Sequence, residues 1–201
     1  AGRVFDQGAK LVAGAIQSGS MFQGEEWMRL IGRRDAPGLA LDAEAKRTVH
    51  LLGLLSDGNV HSHISHLFAM LDECRRQGEH REREHILLDG RDVGETSALQ
   101  YVDQLEEKLA QINAGGLDYR VASGGGRMKI TMDRYEAEWP MIELGWQTHV
   151  KGAGRQFATA AEAIETYRDE MSGVIDQNLP PFVIGENGAP VGPIRDEDIV
   201  I

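Results

Sequence analysis

The sequence predicts an α/β domain of three layers, helices on both faces of a mostly parallel sheet. From Thr48 onward, apolar runs of strand length alternate with stretches of helical periodicity, and a polar, glycine-bearing loop follows each run. The order strand–loop–helix occurs three times in succession, which is how parallel strands are connected. A chain of 201 residues, 41% of them hydrophobic, can bury one sizeable core.

Residues 1–47 form an N-terminal helical arm in this reading, and 48–201 form the domain proper. Within the arm, Lys10 to Ile16 is apolar and small, and Glu25 to Ile31 carries Trp27, Met28, Leu30 and Ile31. Gly14, Gly19, Gly24 and Gly32 interrupt the pattern, so short helices are expected. Asp35-Ala-Pro-Gly38 reads as a turn. Thr48–Leu55 is a near-continuous apolar run, as in a strand buried on both faces. After the loop from Ser56 to His61, Ile64, Leu67, Phe68, Leu71 and Cys74 recur at helical spacing, with Gly78 as the stop.

Glu84–Leu88 is the second strand and 89–94 its loop. Ala98, Val102, Leu105, Leu109 and Ile112 make one apolar stripe behind an N-cap at Thr96 or Ser97. Tyr119–Ala122 is the third strand, followed by a glycine-rich loop and a helix with Trp139, Ile142 and Trp146. Trp139, Met141, Trp146 and Phe182 are expected in the core. Thr159 and Glu162 fit a capping box before Ile164 and Tyr167. Short strands near Pro181–Ile184 and Asp198–Ile201 close the chain.

The net charge of −11 argues against a nucleic-acid or acidic-membrane surface, while leaving room for a local arginine cluster. No apolar run reaches the roughly 20 residues of a membrane span. Cys74 is the only cysteine, so no internal disulfide forms and a reduced cytoplasm is the expected compartment. The opening Ala-Gly-Arg has neither initiator Met nor a signal layout, so further chain is expected upstream.

Ligands of such folds bind at the carboxyl ends of the strands. The first loop and helix start offer His61, His63 and His66. A metal would suit His63 and His66 on one helix face, yet no Cys, Asp or Glu stands at ligand spacing beside them. Surface histidines, or His61 acting on a substrate, fit better. In the second loop, Arg91 beside Asp92 suits an anion and a hydroxyl proton, although a lone Asp-Gly-Arg-Asp string is more often a turn capped by its aspartates. In the third, the triplet Gly124–Gly126 would let backbone N–H groups approach an oxyanion, with Arg127 and Arg134 closing on it; mere flexibility is as good a reading.

Together the strings Leu54-Leu-Ser-Asp-Gly-Asn-Val-His-Ser-His63, Leu88-Asp-Gly-Arg-Asp92 and Ser123-Gly-Gly-Gly-Arg-Met-Lys-Ile-Thr-Met-Asp-Arg-Tyr-Glu136 resemble the cofactor-independent phosphoglycerate mutases, in their plant and trypanosomatid form. The resemblance covers residues 48–201 well. It implies an isomerase of glycolysis and glucose catabolism that interconverts 2- and 3-phosphoglycerate. It also implies two domains: a phosphatase-like one with a nucleophilic serine and two manganese ions, and an inserted one that grips the substrate.

This sequence matches the inserted domain, so the serine and the metal ligands are expected before Ala1 and after Ile201, and the chain alone is expected to be inactive and metal-free. By the same resemblance His61, Arg91, Asp92, Arg127 and Arg134 contact the substrate, and Asp92 handles a proton. Asn59 stands where the family usually has glycine, a change that left-handed backbone tolerates. A free-standing, non-catalytic phosphate- or carboxylate-binding module is the other reading.

Overall fold

The computed structural model describes residues 8–31, 47–132, 136 and 138–201; the expected turn at Asp35–Gly38 lies outside them. Among the described residues the arm has three short helices, α1 (Gly8–Gln17), α2 (Ser20–Gln23) and α3 (Glu25–Leu30). It does not stand apart from the core: Trp27 and Ile31 are buried in the same apolar cluster as the sheet.

The domain runs β1 (Val49–Leu55), α4 (Ile64–Arg76), β2 (Arg81–Leu88), α5 (Ala98–Asn113), β3 (Asp118–Gly126), α6 (Trp139–His149), β4 (Arg155–Phe157), α7 (Ala160–Glu170), a 3-10 turn (Asp176–Asn178), β5 (Phe182–Glu186), β6 (Ala189–Pro190) and β7 (Ile199–Val200). The sheet order is β4-β5-β3-β2-β1-β7, with β6 on β5. β1 pairs β2 and β7 in parallel, β2 pairs β3 and β4 pairs β5 likewise, while β5 is antiparallel to β3 and β6.

The layers follow from residue alternation. Leu51, Ile86, Leu88 and Val121 point to one face and share a cluster with Leu71 and Cys74 of α4, Val102, Leu105 and Leu109 of α5, and Ile164 and Tyr167 of α7. On the other face Leu54 and Leu87 pack with Ile130. There α6 is tied to the sheet through His149, which meets Ser123.

Three expectations need correction. The second strand begins at Arg81 rather than Glu84, because Arg-Glu-Arg-Glu84 reads as loop although Glu82 and Glu84 are 0% and 2% exposed. Burial pushes both carboxyls up, and the neighbouring Glu84 raises Glu82 further. The glycine triplet is no loop: it is the end of β3, paired with Ile86–Leu88. A Cβ on Gly124 would stand 2.5 Å from the Phe182 ring, and one on Gly126 2.4 Å from the Gln177 carbonyl. These glycines serve close packing. Finally, Trp139 and Trp146 are 62% and 54% exposed rather than core, whereas Met141 and Phe182 are buried.

Candidate functional site

Because β1, β2 and β3 are parallel neighbours, the loops after them leave one edge of the sheet. Asp89, at the end of β2, gathers the three loops. Its Oδ2 accepts from Ser56 Oγ (2.6 Å), and its Oδ1 accepts from the backbone N–H groups of Arg91 (3.3 Å) and Asp92 (3.1 Å) and from Arg127 Nη1 (2.7 Å). Gly90, at φ 57, makes the turn and lies against the backbone of Gln177.

Arg127 Nη1 also donates to Asp92 Oδ2 at 2.7 Å. Two carboxylates from the second loop therefore flank one guanidinium from the third. Arg127 is 5% exposed and Asp89 3%, while the Asp92 side chain keeps 15%. Burial pushes the Asp89 carboxyl up, but the bonds from Ser56, the Asp92 backbone and Arg127 outweigh it and hold it below its usual range. Burial likewise opposes the charge of Arg127, and the two aspartates outweigh that.

The first loop closes on the second. A Cβ on Gly58 would stand 2.8 Å from the Asp92 Cβ, so only glycine fits there. Asn59 adopts φ 56, the left-handed backbone that a glycine position demands. His61 and Arg91 are exposed. Arg134 lies outside the described residues. His63 caps α4, its Nδ1 accepting from Ser65 N at 3.1 Å.

The oxyanion reading of the triplet fails, since the amides there are taken: Gly126 N donates to Leu179 O, Arg127 N to Leu88 O and Met128 N to Gln177 O. Two supports escaped the sequence reading. Asp89 resembled an ordinary turn aspartate, and only its position directly after an apolar strand could have marked it. Asp176, fully buried, caps α5 by accepting from Ala98 N at 2.7 Å, while Ser97 at the cap position makes no such bond. Nothing local in Ile-Asp-Gln-Asn announces that link across 78 residues.

A chain with this sheet and these loops matches the family described as BPG-independent PGAM N-terminus over residues 12–201. It belongs to that family. A probable 2,3-bisphosphoglycerate-independent phosphoglycerate mutase of Leptospira interrogans is 54% identical over 200 residues, and the Trypanosoma brucei brucei mutase 47% over 202. The mutase of Prunus dulcis is 45% identical over 203 residues. Each match covers 100% of this chain but 35%, 35% and 39% of the relative, so the chain spans little more than a third of their length. The crystal structure of Leishmania mexicana phosphoglycerate mutase at low cobalt concentration superposes with a TM-score of 0.90 at 44% identity, over 100% of this chain and 35% of that one.

Proposed function

We propose that this chain is the substrate-binding part of a cytoplasmic phosphoglycerate mutase, interconverting 2- and 3-phosphoglycerate through a phosphoserine on a second, phosphatase-like domain. One observation carries the reading: in a member of this family, Arg127 and Asp92 from two different loops meet at 2.7 Å at the carboxyl ends of the parallel strands, where folds of this kind bind ligands.

During such a transfer the glycerate must stay bound and turn while the phosphoryl group waits elsewhere. Both Nη1 protons of Arg127 are committed to Asp89 and Asp92, so its grip on an anion falls to the Nε–Nη2 edge, which matches a carboxylate or phosphate in two bonds. Arg91 and His61 supply further donors, and by the resemblance Arg134 supplies a third guanidinium. Asp92, the more accessible aspartate, takes the hydroxyl proton as the glycerate oxygens exchange roles. The resemblance assigns manganese to the phosphatase-like domain. On this reading the residues of this chain contribute binding, orientation and proton handling.

Kinetics of the full-length enzyme test this. Arg127→Ala should weaken phosphoglycerate binding about 10- to 100-fold, the worth of a charge-assisted anchor. Asp92→Asn should lower turnover on the order of 10²-fold. An Asp92→Asn effect confined to KM would make Asp92 a positioning residue. The chain by itself should convert no 3-phosphoglycerate even with manganese, and conversion by a mutase-free preparation would overturn the division of labour.

A further inference from the structure

Three buried histidines lie outside the site and take no part in the chemistry above. They form an unbroken hydrogen-bonded chain across β1, β2, β3 and α6. Asp198 Oδ2 meets His50 Nε2 at 3.3 Å, and His50 Nδ1 meets His85 Nε2 at 2.8 Å. His85 Nδ1 meets Ser123 Oγ at 2.6 Å, and Ser123 Oγ meets His149 Nδ1 at 2.8 Å. His149 Nε2 reaches Thr131 Oγ1 at 3.1 Å. His50, His85, Ser123 and His149 are each at most 3% exposed.

Burial lowers the basicity of all three rings, His149 to about 4, so each carries one proton at neutral pH. Asp198 sets the direction. Its carboxylate is an acceptor, already taking the N–H groups of Thr48 and Arg195. His50 therefore donates through Nε2 and accepts at Nδ1. His85 must then donate through Nε2, and Ser123 must donate to His85 Nδ1. Ser123 accepts from His149 Nδ1–H, which leaves His149 Nε2 to accept from the Thr131 hydroxyl. One proton arrangement satisfies all five contacts.

Thr131 is a place where such a tether matters. It follows Arg127 by four residues and holds φ 74, a left-handed backbone that a β-branched residue adopts only under constraint. Its N–H donates to Met141 O at 3.3 Å, and a Cβ on Gly145 of α6 would stand 2.5 Å from its Oγ1.

We propose that Thr131 and His149 are positioning residues: the chain from Asp198 holds the Thr131 hydroxyl as a donor and so fixes the segment after Arg127 for anion binding. The proposal rests on the mutase reading.

Its test uses the full-length enzyme with Thr131→Val, which keeps the shape without the hydroxyl, and Thr131→Ser, which keeps the hydroxyl. Thr131→Val should raise KM for 3-phosphoglycerate about 5- to 20-fold with kcat within about two-fold, while Thr131→Ser stays within about two-fold in both. Equal behaviour of the two variants, or a loss in kcat alone, overturns the proposal. Should Thr131→Val fail to fold, the unmodified enzyme still decides. Nitrogen-15 spectra of labelled histidines should show His85 as the Nε2–H tautomer and His149 as the Nδ1–H tautomer, and the reverse at either ring overturns the proposal. Activity of the unmodified enzyme is measured alongside. If it is inactive, the mutase reading fails and this role with it; if it is active with the wrong tautomers, only the proposal fails.

Discussion

Replacing Asp89 by Asn isolates the charge that holds the three loops together. Asn keeps the size, and its carbonyl oxygen can still accept from the backbone of Arg91 and Asp92 as Asp89 Oδ1 does. Ser56 can turn its hydroxyl to accept from the new NH₂. What disappears is one of the two carboxylates on a guanidinium that is 5% exposed. Stripping a partner from a buried pair costs about 3–5 kcal/mol when the remaining charge is orphaned. Here Asp92 stays in place at 2.7 Å, so the loss is closer to that of one charged hydrogen bond, about 2–3 kcal/mol. For a domain of this size that is a fall in Tm of roughly 4–12 °C. Urea titration and thermal melts of Asp89→Asn and Asp92→Asn side by side provide the assay. Asp92, whose side chain keeps 15% exposure and which leaves Asp89 in place on Arg127, should cost less than about 1.5 kcal/mol. Equal losses from the two substitutions, or a loss under about 1 kcal/mol from Asp89→Asn, would refute the view that Asp89 carries the loops and leaves Asp92 free for chemistry.

Gly126→Ala would force a methyl to 2.4 Å from the Gln177 carbonyl, backbone against backbone, and should destabilise by about 3 kcal/mol or more, seen as a lower urea midpoint; a midpoint unchanged from the parent would contradict the packing role of the triplet. His149 titrates at 6.5 when unfolded and about 4 when folded, so the unfolded chain binds the extra proton between those values. Its contribution, roughly 3 kcal/mol, is fully present above pH 6.5 and is lost as pH falls towards 4. His149→Gln should flatten stability against pH across that window, and an unchanged slope would show that His149 does not titrate there.

Periodicity alone was enough for the alternation of strands and helices, the parallel core and the position of the loops that follow the strands, because apolar spacing and turn residues are local properties of the chain. The capping box is an example: Thr159 accepts from Glu162 N at 3.1 Å, as the spacing requires. The left-handed backbone at Asn59 came from the family resemblance, where glycine is usual, and the structure has φ 56 there. The family came from motif order, which no single loop would have revealed.

The tertiary structure decided matters that depend on distant partners. Ser123-Gly-Gly-Gly126 resembled a flexible loop because glycine is compatible with both freedom and close approach; Phe182 and Gln177, more than fifty residues on, choose the second. Arg-Glu-Arg-Glu84 resembled solvent-facing chain, yet β1 and β3 on either side bury it. Arg127 was legible as a cation, but its two carboxylate partners stand 35 and 38 residues away. Three histidines scattered from 50 to 149 had no common signal along the chain. They become one hydrogen-bonded line because parallel pairing sets His50, His85 and Ser123 of β1, β2 and β3 on the same face of the sheet, and α6 brings His149 onto Ser123 there.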